Sequence, residues 1–302
     1  MTSVHGPSPP APVFTNLKIQ ATHPPSVREQ TRKYPTGRRT PNLAAVPLLA
    51  AIGCPVLTGG LALAAGLPVK WTLALVLAVA APPSAGTAAL AWMLGLDGAM
   101  ALTITLAATA VAPLTVTAFA ALQGGIAIYP LPLAGRLLLL VSGAAMIALL
   151  LRRYAGALLI RHHAVVDALL LGSLILFALS AMAGVRAQIV AQPGSVMMAV
   201  ALAYAAHLAQ LSLGAMLPGD LPQRATAGVI LGNRNVGLVW SALGTAVTPG
   251  MALYFAATQL PIYTLPLLWQ AVLPRLRARF PAQTDEAPPC RTACPPRPPV
   301  VG

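Results

Sequence analysis

Apolar runs of about 20 residues, each long enough to cross a bilayer as a helix, follow one another from 43 to 273 with short polar breaks between them. A bilayer offers no water to backbone N–H and C=O groups, so each run must pair its own backbone as a helix. The pattern predicts eight spans, about 43–67, 70–97, 98–123, 131–151, 164–186, 196–218, 224–247 and 250–273. The expected fold is an all-α polytopic membrane domain over 42–274, two of its helices being discontinuous.

Those two carry the polar interruptions. In span 70–97, Pro82-Pro83-Ser84-Ala85-Gly86-Thr87 removes donors and frees the backbone at mid-depth. Taken alone, an ordinary kink in which Ser84 and Thr87 bond back to the helix accounts for it. Span 224–247 is interrupted at the corresponding depth by Gly232-Asn233-Arg234-Asn235. The two spans are five apart in order and so cross in opposite directions, the mark of an inverted repeat whose broken helices meet at a substrate site near the midplane. An arginine between two asparagines is expensive at that depth and points to function.

Composition agrees with the pattern. Apolar residues make up 57% of the chain, charged residues 8%, and the mean hydropathy is +0.75. The net charge of +13 does not indicate nucleic acid, because the basic residues flank the apolar runs. Lys18, Arg28, Arg32, Lys33, Arg38 and Arg39 precede the first, Arg152, Arg153 and Arg161 share one loop, and Arg275, Arg277 and Arg279 follow the last. Eight crossings put all three groups on the cytoplasmic side with both termini, as the positive-inside rule asks, and anionic lipid heads are their natural partners. The expected location is a cell membrane of the bacterial inner-membrane type. Residues 1–41, with eight prolines, read as a disordered cytoplasmic leader, although a presequence or a start codon placed too late fits the same composition. Residues 275–302 read as a disordered basic, Pro-rich tail. Cys54 reads as a small buried hydrophobe, and Cys290 and Cys294, spaced C-x3-C, as a weak metal or redox signal.

Around the breaks the chain resembles the bile acid:sodium symporter family. The residues that carry the likeness are Pro83-Ser84-Ala85-Gly86-Thr87-Ala88-Ala89-Leu90, then Ala101-Leu102-Thr103-Ile104-Thr105-Leu106 on to Ala112-Pro113-Leu114, and Gly232-Asn233-Arg234-Asn235-Val236-Gly237-Leu238. The resemblance covers about 43–273 and implies ten helices in two inverted five-helix repeats, of which this chain has eight. It also implies sodium held by oxygen ligands, yet Ala89 and Leu90 stand at the Ser and Asn positions, Ala99 at the next Asn, Ile230 at the glutamate and Arg234 at the glutamine. The resemblance therefore implies transport of a small organic anion by alternating access, with sodium coupling lost or weakened and Arg234 standing in for the cation. The substrate-binding candidates are Ser84, Gly86, Thr87, Thr103, Asn233, Arg234 and Asn235. Satisfaction of Arg234 by carbonyls of the broken segment is the competing reading of that residue.

No metal, cofactor or catalytic set is expected, and no nucleotide-binding loop, zinc spacing or nucleophile elbow occurs in the sequence. Asp97, Asp167 and Asp220 read as helix-end charges. His207, with Gln210 one helical step later, is the better candidate for a titrating group. Residues 152–163 are expected to lie along the cytoplasmic surface, and Trp71, Trp92, Tyr129, Tyr154 and Trp269 to form an aromatic belt. The alternative class is a non-transporting binding or scaffold protein of the same ancestry, and a homodimer or a partner chain is the expected source of missing helices.

Overall fold

The computed structural model describes residues 42–123, 129–182 and 185–279. The leader 1–41 and the tail from 280, with Cys290 and Cys294, lie outside them, as do the side chains of Asp167, Arg275, Arg277 and Arg279. Among the described residues every regular element is helical: α1 (Asn42–Leu48), a π turn (Leu49–Gly53), α2 (Cys54–Ala64), α3 (Val69–Ala80), α4 (Thr87–Met93), α5 (Gly98–Leu122) and α6 (Pro130–Arg161). Then come α7 (His163–Ala181), α8 (Val185–Ala191), α9 (Pro193–Ala215), α10 (Leu221–Gly232), α11 (Val236–Leu243), a 3-10 turn (Gly244–Ala246), α12 (Pro249–Ala257) and α13 (Gln259–Arg279). Among the described residues six helical stretches are long and apolar enough to cross a membrane: Ala45–Ala64, Gly98–Leu122, Pro130–Arg161, His163–Ser180, Pro193–Ala215 and Pro249–Gln270. The chain is an all-α, multi-pass membrane protein.

The two anticipated breaks are where the sequence places them. Helix α3 stops at Ala80 before Pro82 and Pro83, and α10 stops at Gly232 before Asn233. Elsewhere the structure corrects the sequence reading. Residues 152–161 are no loop but the end of α6, whose 32 residues span about 48 Å at 1.5 Å per residue. The 130–161 run contains no proline after Pro132, so charge alone does not end it. Helix α13 likewise continues past 274 to Arg279. Trp71 is buried in the core rather than standing in a belt; Trp92, Tyr129 and Tyr154 are exposed. Asp97 and Asp220 cap helices, accepting from the backbone N–H of Met100 (2.9 Å) and Gln223 (2.8 Å).

The core wraps the breaks. Helix α3 is buried from Trp71 to Ala80, packed against α12, α5 and α9. Helices α9 and α10 meet backbone to backbone, because a Cβ at Gly214 would lie 2.4 Å from the Gly228 nitrogen and one at Gly228 2.7 Å from the Leu211 carbonyl oxygen. That approach fixes how near α9 brings its polar residues His207 and Gln210 to the end of α10. Gly228→Ala is therefore expected to force the helices apart and cost about 1–3 kcal/mol, seen as a lowered thermal midpoint in detergent. Gly60→Ala, with open space around the added methyl and a better helix former in place of glycine, is the control and does not lower the midpoint.

Candidate functional site

The two unwound segments cross antiparallel, Pro83 opposite Arg234. Two prolines leave this stretch short of donors, and the opposing chain makes up the deficit. Ser84 N–H donates to the Asn233 carbonyl (2.8 Å) and Asn235 N–H to the Pro82 carbonyl (2.7 Å). The asparagines tie down what remains. Asn233 Nδ2 donates to Thr87 Oγ1 (3.1 Å), and Asn235 Oδ1 accepts from Leu238 N–H (3.2 Å), capping α11.

Arg234, 4% exposed, lies in the middle of this crossing. Its Nε donates to Gln210 Oε1 of α9 (2.8 Å), and its Nη1 donates to the carbonyl oxygens of Ala50 (3.1 Å) and Ala81 (3.2 Å). Both carbonyls are orphans for identifiable reasons. In the π turn the pairing shifts to i+5, shown by Cys54 N–H donating to Leu49, and the residue five after Ala50 is Pro55, which has no N–H. Ala81 follows the end of α3, where helix carbonyls lose their intrahelical donors and a cation is favoured. One guanidinium thus closes three acceptors from three parts of the chain. The Cys54 thiol also lies close to it, a weak acceptor that leaves Nη2 buried and without a hydrogen bond.

Two small cavities flank the crossing. One of about 20 Å³, room for about one water, is lined by His207, Gln210, Arg234, Tyr254 and Thr258 among others. The second, about 10 Å³, is lined by Asn233, His207 and Trp269 with apolar neighbours. His207 borders both, and a Cβ at Gly232 would lie 3.0 Å from its Nε2.

Of the candidates read from sequence, Ser84, Thr87, Asn233, Arg234 and Asn235 come together at the crossing, and Gly86 precedes α4 beside them. Thr103 does not. Its side chain is exposed and its hydroxyl donates to the Ala99 carbonyl of its own helix (2.9 Å), the ordinary habit of threonine in an apolar helix. The positions where the resemblance implies sodium ligands are similarly scattered: Ala89 and Ala99 are exposed, Leu90 is half-buried and Ile230 is fully buried. Sequence reasoning missed Pro55 and the Ala50 carbonyl; a proline inside an apolar run marks an acceptor without a donor one turn before it. It also missed Arg136, whose Nη1 donates to the last carbonyls of α11, Ala242 and Leu243 (3.4 Å each). Among the described residues no three His, Cys, Asp or Glu side chains converge as a metal site.

No family model matches the chain, and no curated protein matches it.

Removing the guanidinium orphans three buried acceptors at about 1–3 kcal/mol each. Arg234→Met is therefore expected to lower the thermal midpoint strongly, and Arg234→Lys nearly as much, since an ammonium lacks the planar fork. Pro55→Ala, which gives Ala50 a donor, should reduce the cost of Arg234→Met in a double-mutant cycle; strict additivity would contradict the assignment.

Proposed function

We propose that the chain is a secondary transporter of a small organic anion, working by alternating access around the crossed breaks without sodium coupling. The resemblance to the bile acid:sodium symporter family supports the class of function. The two broken pairs, α3 with α4 and α10 with α11, read as one crossing each beside the six long helices among the described residues, support the count of eight. Their antiparallel bridge fits an inverted repeat. The other helices of a ten-helix assembly would come from a second copy or a partner chain.

One observation carries the loss of sodium coupling. The Arg234 guanidinium gathers two backbone carbonyls and an amide oxygen from separate elements, the kind of oxygen set a hard cation collects, at the break where the resemblance implies sodium. A tethered cation that cannot lose its proton makes a dissociable one superfluous there. The N–H groups of Nη2, unused by the fold, are left for a carboxylate or a similar anion. The second reading, a binding or scaffold protein that does not transport, draws on the size of the cavity beside Arg234, too small for an organic anion unless the helices move.

Proteoliposome uptake of cholate, pyruvate and pantoate separates them. We expect uptake of at least one, equal in sodium and in choline medium, and abolished in Arg234→Ala and Arg234→Lys. Strong stimulation by sodium, or unchanged uptake in both variants, would contradict the proposal. Uptake of none by folded protein favours the scaffold reading.

A further inference from the structure

The chain runs out along α6 and comes back along α7 to the same helix. Arg136, near the start of α6, donates to the last carbonyls of α11. Phe177, near the end of α7, meets Gly237 of α11, where an added Cβ would lie 2.8 Å from the ring. Between these two seats the hairpin leaves the core, and the stretch from Leu138 to Arg161 carries it about 36 Å along α6. The two helices disagree about where the hydrocarbon ends. Counted along α6 from Pro130, a hydrocarbon layer about 30 Å thick ends just short of Arg152 and Arg153. Counted along α7, whose 18-residue apolar stretch begins at His163, it reaches the turn itself.

Residues 152–161 lie between those limits, too basic for hydrocarbon and too apolar for water. At about 100° per residue, Arg152, Arg153 and Arg161 share one half of the helix, with Ile160 the only large apolar residue among them. Tyr154, Ala155, Leu158 and Leu159 share the other half, the division of a helix that rests at headgroup level. All three arginines are exposed, and the Arg153 guanidinium lies over the Tyr154 ring, 5.9 Å from its centre. Among the described residues no carboxylate pairs with them, and α6 and α7 together contain one acid, Asp167. We infer that this end of α6 is a binding site for an anionic phospholipid, whose phosphate is held by Arg152 and Arg153 with Arg161 as a further contact about 12 Å along the helix. Charge and depth select the occupant. A second copy would bring the same cations and be repelled, and a zwitterionic lipid carries a cation beside its phosphate. Because the hairpin buries so little against the core, lipid bound at its turn fixes how α6 and α7 stand. The site does not depend on the transport reading.

The full chain in phosphatidylcholine nanodiscs, doped with a trace of photoactivatable lipid, tests this, crosslinks being mapped by mass spectrometry. We expect photoactivatable phosphatidylglycerol to label the segment 150–163 several-fold more than photoactivatable phosphatidylcholine, and high salt to shrink that excess. The combined variant Arg152→Gln, Arg153→Gln and Arg161→Gln should label equally with both lipids while keeping the wild-type thermal midpoint in detergent, since the three side chains are exposed. The corresponding triple Lys variant should keep the excess, which separates charge from packing of the arginine stems. The wild-type ratio and its salt dependence decide alone if a variant does not fold. Equal labelling by the two lipids in the wild type, an excess that survives in the Gln variant, or an excess abolished by millimolar inorganic phosphate would each overturn the lipid site, the last by showing a site for free phosphate instead.

Discussion

Three N–H groups on one planar fork, the one of Nε and the two of Nη1, hold this structure's centre together. Arg234 sits where two helices are unwound against each other, and its donors reach a π turn, the end of α3 and the middle of α9. Each contact answers a deficit created elsewhere: a proline five residues downstream, a helix stopped by two prolines, a glutamine in an apolar helix. In hydrocarbon an unpaired carbonyl costs several kcal/mol. The arginine and the breaks are therefore one device, in which the charge is tolerable because the breaks expose oxygen and the breaks are tolerable because the charge is there.

This dependence orders the rest of the fold. Glycines 214 and 228 let α9 approach α10 closely enough for Gln210 to meet the guanidinium. The buried face of α3 holds the first break against α12, and Arg136 donates to the last carbonyls of α11 as Arg234 donates to the Ala81 carbonyl after α3. By contrast α7, and α6 beyond Leu137, bury almost nothing against the core. Their exposed leucines and isoleucines are what a lipid-facing surface requires.

Much of this was legible in the sequence because helix breakers and membrane-depth charges are local signals. Pro82-Pro83 and Gly232-Asn233-Arg234-Asn235 located both breaks, and the bridge between Pro83 and Arg234 joins them. Acceptor identity was not legible. The Ala50 and Ala81 carbonyls belong to residues whose side chains say nothing, and only the fold brings Ala50 to Arg234. Helix facing was equally hidden at Thr103, where an apolar helix with polar residues on several sides gives no moment to orient it. The length of α6 was misjudged because arginines were taken as the end of a helix, when they need only mark the end of its hydrophobic part.

The partnership between Ala50 and Arg234 spans 184 residues. During synthesis the first span would enter the bilayer with a bare carbonyl, and wait for nearly the whole chain before its donor arrived. The span bearing Arg234 would in turn enter at a cost of about 2.5–3.5 kcal/mol on insertion scales. Each carries its cost until the other arrives, so the two ends of the contact gain from staying near one another during synthesis. A chain stopped before residue 234 would lack the donor that the Ala50 carbonyl has in the fold.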